Sequence, residues 1–219
     1  MVRALRVARV RIEGARFEDW EDLAAAGCPE GNCLLLGDIG DNHARRNEVA
    51  VHLVAEPGRE DRGTRVVRSL RAAYPDGPQD AEAVFGHRGE TYVVTKGRHG
   101  PIGLYQFPPA SGSAGKLRKV RELWPQPADR RDWVTGATTT PDGRWVVVRT
   151  YGTLHFFTAG DLLNGKGPAA RFDLTALDIP QGEAIAVANN GTVWLTSEAK
   201  RKKDLPEWSR LSCRLPSSR

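Results

Sequence analysis

Glu21, Asp38, Asp41 and Asn42 bring hard oxygen donors close together in the chain, the last three within Gly37-Asp38-Ile39-Gly40-Asp41-Asn42. Carboxylate and amide oxygens in that number suit calcium, which takes about six to eight oxygen ligands. The same string satisfies a simpler account. There Asp and Asn bond their own backbone, and Gly37 and Gly40 permit the tight loop. Further charged residues recur at comparable places: Glu82, Lys96, Arg149, Glu183 and Glu198. Charges gathered near an axis must be paired or hydrated, so this set makes either a salt-bridge ring or a polar pocket for a small ligand. His43, His52, His87, His99 and His155 fall in no nucleophile or metal-ligand motif. His43 alone follows the acidic string closely enough to serve as a general base.

These groups can meet only if the fold repeats, and the sequence does repeat. Asp19-Trp20-Glu21-Asp22-Leu23-Ala24, Asp80-Ala81-Glu82-Ala83-Val84-Phe85, Thr135-Gly136-Ala137-Thr138 and Gly182-Glu183-Ala184-Ile185-Ala186 each lead to a turn and an apolar strand. The following strands are Cys33 to Asp38, Thr91 to Lys96, Trp145 to Tyr151 and Val193 to Glu198, rich in β-branched, aromatic and leucine residues. Gly86-His87-Arg88-Gly89, Pro141-Asp142-Gly143 and Asn189-Asn190-Gly191 supply the turns between them. A third strand follows at Val49 to Val54, Gly103 to Phe107 and Thr153 to Phe157, and the linkers leave room for a fourth. The pattern predicts an all-β, β-propeller-like fold of about four blades in a single domain spanning 1–219. In it Glu21, Glu82 and Glu183 converge near the axis, with Gly136 in their place in the third unit. Lys96 and Arg149 close the second strands of units two and three, where Asp38 and Glu198 stand in units one and four.

The 219 residues carry a formal net charge of +5. Two basic runs, Arg59 to Arg71 and Lys200 to Lys203, account for part of it and read as solvated loops. Neither is joined to a nucleic-acid-binding motif or stacking platform, so no nucleic-acid partner is expected. No apolar run is long enough to cross a bilayer. Met1 to Arg11 alternates apolar and basic residues like an exposed strand and is no signal peptide. Gly160-Asp161-Leu162-Leu163 is the one stretch that reads as a helical turn. Cys28 and Cys33 bracket Pro29-Glu30-Gly31-Asn32, a turn-forming tetrapeptide that can bring the thiols into bonding distance, as an oxidising compartment would allow. Cys213 is left over.

Taken together, the Asp19 to Ala24 motif, the cysteine pair, Gly37 to Asn42 and Arg45-Arg46 resemble a family of bacterial, mostly secreted, β-propeller-like proteins of uncharacterised function. The likeness continues through Tyr74 to Pro78, Asp80 to Ala83, Val94 to Lys96, Val134 to Ala137, Arg149 to Tyr151, Gln181 to Ala186 and Thr196 to Glu198. It implies a propeller and export to the periplasm or beyond. Relatives carry a signal peptide and a further blade ahead of the first motif, for which this chain begins too late. They also commonly have an acidic residue where Thr138 stands. A ring lacking a blade closes smaller or stays open, and an open ring exposes strand edges that invite self-association.

The functional expectation is an extracytoplasmic binding or scaffold propeller with an acidic axial mouth, calcium being the candidate ion. The alternative is a metal-dependent hydrolase of lactones, esters or phosphoesters at the same site, an analogy with propeller hydrolases at the level of fold.

Overall fold

In the computed structural model the described residues are 9–28, 31–109, 115–177, 179, 181–198 and 208–215. Four sheets are arranged as the blades of a β-propeller. Blade one holds β1 (Arg11–Glu13), β2 (Trp20–Cys28), β3 (Gly31–Asp38), β4 (Val49–Ala55) and β5 (Gly63–Ala73). Blade two has β6 (Ala81–His87), β7 (Glu90–Thr95) and β8 (Ile102–Gln106); β9 (Gly115–Lys116) pairs back on β5, and β10 (Arg118–Trp124) completes the blade. Blade three contains β11 (Val134–Thr139), β12 (Trp145–Thr150), β13 (Thr153–Thr158) and β14 (Ala170–Asp173), with a short helix α1 (Ala159–Leu163) after β13. Blade four is β15 (Gly182–Val187), β16 (Thr192–Ser197) and β17 (Trp208–Ser212). The expected fourth strand is thus present in blades one to three.

Each blade is built on an antiparallel meander starting at the axis with β2, β6, β11 or β15. Turn chemistry explains the registers. His87 pairs with Glu90 across Arg88-Gly89, whose φ angles of 51° and 80° are those of a two-residue hairpin turn. Gly143 and Gly191 close the next two inner hairpins with φ of 70° and 80°. α1 begins where the Thr158 hydroxyl accepts the Asp161 N–H at 3.1 Å.

Three apolar bodies fill the spaces between successive blades. One joins Ala24, Leu35 and Val51 to Val84, Val93 and Tyr105. A second joins Phe85, Tyr92 and Leu104 to Val146, Val148 and Phe157. The third joins Trp145, Val147 and Phe156 to Ile185, Val193 and Leu195. Inner strands carry small residues because neighbouring strands approach closely at the axis: a Cβ on Gly136 would stand 2.7 Å from the Glu183 carbonyl oxygen.

Two features depart from the sequence reading. β1 and β9 both pair with β5 in parallel, so blade one is not a simple meander. Most of the run from Arg59 to Arg71 is this β5 strand and not a loop. Arg65, Arg68 and Arg71 are exposed on this strand. The second basic run, Lys200 to Lys203, and Met1 to Ala8 lie outside the described residues.

Cys28 and Cys33 form a disulfide across the β2–β3 hairpin, and Cys213 is a half-buried free thiol. Closing so small a loop is worth about 2 kcal/mol on the chain-entropy account. Thiol labelling of the unfolded, unreduced protein is expected to modify Cys213 alone; three reactive thiols would contradict the bond.

Candidate functional site

Every inner strand breaks its ladder at the same point. In blade one Trp20 pairs with Asp38 and Asp22 with Gly37, which leaves Glu21 out of register. Glu82 is left out in the same way between Ala81 and Ala83, and Thr135 between Val134 and Gly136. In blade four Glu183 and Ala184 together fall between Gly182 and Ile185. A bulge re-aims the side chain it carries, and bulges gather beside functional sites. Here it turns Glu21, Glu82 and Glu183 toward one end of the axis. The blade-three counterpart is Thr135 and not Gly136, because the extra residue shifts the motif by one. Gly136 instead meets the close approach of β15.

A second ring forms where the next strands end. The N–H groups of Gly40, Lys96, Tyr151 and Glu198 donate to the carbonyls of Asp19, Asp80, Trp133 and Gln181, at 3.1, 2.8, 3.1 and 3.0 Å. These bonds identify equivalent places in the four blades. Lys96 and Glu198 correspond, as expected; their partners are Tyr151 in place of Arg149 and Gly40 in place of Asp38. At Gly40 the Glu21 and Asp19 carboxylates come close to the backbone, and a Cβ there would displace them. Blades one, two and four thus bring acids to the axial end, while blade three brings Trp133, Thr135 and Tyr151.

The result is an open basin of about 520 Å³ whose lining includes Asp19, Glu21, Glu82, Lys96, Glu183 and Glu198, with Arg98, Arg130, Tyr151 and Gln181 on its rim. Lys96 and Glu82 form a buried ion pair, yet Glu82 Oε2 has no partner. Burial and then the Asp19 charge push the Glu21 carboxyl up to about 8. Burial and then Glu198 raise Glu183 to about 7. Lys96 is lowered by burial, against the pull of Asp80. These carboxyls hold protons above the usual carboxylate range because the basin desolvates them and crowds like charges together.

The residues read from sequence divide into two groups. Glu21, Asn42, Glu82, Lys96, Glu183 and Glu198 share the basin. Asp38 and Asp41 are outside its lining, and each has one oxygen engaged. Asp38 Oδ1 accepts the N–H groups of Glu18 and Asp19 at 3.1 and 2.8 Å and the Arg46 guanidinium at 3.1 Å. Asp41 Oδ2 accepts the Arg46 N–H at 2.7 Å, as loop-capping aspartates do. Asn42 Oδ1 accepts from Arg98. Arg149 is sealed beneath the basin, donating to the carbonyls of Ala184 and Thr196. His43 lines an adjoining groove with Arg45 and Glu48.

Asp19, Asp22, Arg98, Arg130, Tyr151 and Gln181 were not singled out from sequence. Asp22 is buried at the axis and ties three inner strands, accepting N–H groups of Leu23 and Val84 at 2.8 Å each and Ala137 at 3.4 Å. Its carboxyl is raised by burial to about 7 despite those bonds. Tyr151 was detectable, as the third copy of the place held by Lys96 and Glu198, once the bulge is allowed for.

No family model matches the chain, and no curated protein does. Solved structures do. Hydrazine synthase of Kuenenia stuttgartiensis is similar at 10% identity and TM-score 0.42, over 90% of this chain and 48% of that one. The Cps50 (Swd1) β-propeller domain of Myceliophteria thermophila gives 13% identity and TM-score 0.41, over 81% and 47%. A hypothetical protein from Leishmania major gives 11% and 0.43, over 95% and 67%. The chain spans less than half the length of the first two. Likeness at this level concerns fold and leaves the chemistry to the basin itself.

Proposed function

We propose that the protein is an extracytoplasmic binding module whose ligand site is the axial basin, with calcium as the ion it takes. The observation that carries this reading is the bulge repeated in every inner strand, which gathers Glu21, Glu82 and Glu183 from sequence-distant positions into one cavity. The donor set supports a cation with a change of ligands from the sequence expectation. Asp38 and Asp41 are committed to Arg46 and the backbone, so the oxygens on offer are those of Asp19, Glu21, Glu183 and Glu198. Among the described residues these acids are not already drawn together as a metal cage. The elevated carboxyls of Glu21 and Glu183 are the groups that a divalent ion would relieve. The Cys28–Cys33 bond supports placement in an oxidising compartment. Binding is favoured over hydrolysis because His43, the base that the sequence offered, lines the neighbouring groove.

A cation must displace the protons that Glu21 and Glu183 hold, so affinity rises with pH through about 7 to 8. Millimolar calcium is expected to raise Tm more at pH 8.5 than at pH 6.0, by mass action on the folded state. Glu21→Gln and Glu183→Gln each abolish most of that shift. An unchanged Tm in calcium at both pH values, or an unchanged shift in both variants, would remove the proposal.

The ion-free protein follows the opposite trend. Both groups have folded values above the usual 4.5, so the folded state holds the extra protons. Their contribution to stability is complete below about pH 4.5 and is lost as pH rises through about 7 to 8.

A further inference from the structure

Blade three breaks the acidic pattern of the basin, and the cations collect there. Arg98 lies over the Trp133 ring at 5.0 Å, and Arg130 and Lys96 each stand 5.9 Å from its centroid. Arg130 also stacks on Tyr151 at 4.8 Å. The one hydrogen bond of its side chain among the described residues is to Tyr151 Oη at 3.4 Å, and no carboxylate there lies within ion-pair distance of it. Arg98 is 4.0 Å from Asp80 Oδ2 and donates to Asn42 Oδ1. Two guanidinium groups are therefore held on aromatic faces at the basin rim, one of them without an anionic partner.

We propose that Arg130 and Arg98, steadied by Trp133 and Tyr151, bind the carboxylate of a small hydroxylated acid, in chemical class a sugar acid. This rests on the reading of the basin as a ligand site and names the chemistry of the ligand. A guanidinium presents two parallel N–H groups that match the two oxygens of a carboxylate. Stacking on an aromatic ring holds that fork in place, so little side-chain freedom is lost when the anion arrives. A single negative charge suits the site better than a phosphate dianion, because Glu183 faces the same space, with its Oε1 3.5 Å from Tyr151 Oη. The rest of the lining is polar: Gln181, Thr196 and Tyr151 bring amide and hydroxyl groups beside a body rich in hydroxyls. A basin of about 520 Å³ admits a monosaccharide acid.

The test is calorimetric titration of the full chain in EDTA with D-glucuronate, D-glucose and inorganic phosphate. Glucuronate is expected to bind saturably, with glucose and phosphate weaker by about tenfold or more. Arg130→Gln lowers glucuronate affinity by about tenfold or more, and Arg130→Lys by less, since it keeps the charge and loses the fork. Arg130 is exposed, so its variants should melt with the parent. The proposal is overturned by absence of glucuronate binding at about 10 mM, by undiminished binding to Arg130→Gln, or by phosphate binding tighter than glucuronate. EDTA separates this from the calcium reading. Loss of the calcium response in the parent protein alone leaves the carboxylate subsite standing.

Discussion

Arg149→Ala is expected to destabilise the protein by about 3–5 kcal/mol, because two buried carbonyls lose their donor at about 1–3 kcal/mol each and a large side chain leaves a cavity, partly offset by removal of the unpaired Nε and Nη2 groups. The Arg149 side chain is 0% exposed and crosses from blade three to blade four, where its Nη1 donates to the Ala184 and Thr196 carbonyls at 2.6 and 2.9 Å. Burial lowers its guanidinium to about 10, against the favourable charge of Glu183. Truncation leaves two carbonyls without donors and a cavity between the blades. Methionine fills more of that space and should recover part of the loss. Gly182→Ala should mimic the truncation, because its new Cβ would collide with the guanidinium. For a chain of this size the alanine variant should melt about 6–20 °C lower. Urea unfolding followed by tryptophan fluorescence gives the comparison; a loss below about 1 kcal/mol would deny Arg149 its role as the tie between blades.

Asp22→Ala carries the second large effect, about 3 kcal/mol. One carboxylate serves N–H groups on β2, β6 and β11, and buried donors without partners each cost about 1–3 kcal/mol. Asparagine is no remedy, since its single oxygen replaces only one side of the carboxylate and its amide faces the remaining donors. The variant also has a pH signature that simple loss of packing lacks. Asp22 titrates at about 7 when folded, above its usual 3.8, so the wild-type chain loses stability from this group as pH rises through that interval. The alanine variant should show a flatter decline over the same range. Leu23→Ala is the control: its neighbouring side chain is 44% exposed and should cost less than about 0.5 kcal/mol. Equal losses at the two positions would show that the axial carboxylate is dispensable.

Much of the fold is written in local pattern. β-branched runs such as Trp145 to Thr150, bounded by Gly143 and by Gly152, specify strands whatever their partners, and repetition of the Glu21, Glu82 and Glu183 motif specifies a common axis. Phase is harder. The bulge adds a residue to the inner strand without a mark in composition, and because side chains alternate, a slip of one residue reverses the direction in which a group points. That slip hides Thr135 behind Gly136, whereas Tyr151, which reaches the basin, and Arg149, which turns into the seam between blades, stand two places apart with β12 ending between them at Thr150. Asp38 and Asp41 illustrate a different gap: their types suit an ion and a loop cap equally, and only the positions of Arg46 and the Asp19 backbone separate the two. Arg98 and Arg130 sit in linkers outside the repeat. Their approach to Trp133 depends on how blades two and three pack, which no local spacing encodes.

Calcium binding at the axial basin is tested most directly by titration calorimetry near pH 7 in two buffers of different ionisation enthalpy. If the axial basin takes the ion through Glu21 and Glu183, binding releases protons, because these groups hold them up to about 8 and 7. The observed heat should then differ between the buffers, and the difference should shrink in Glu183→Gln. Saturable calcium binding with the same heat in both buffers, or a Glu183→Gln variant that releases as many protons as the parent, would place the ion elsewhere and contradict the account.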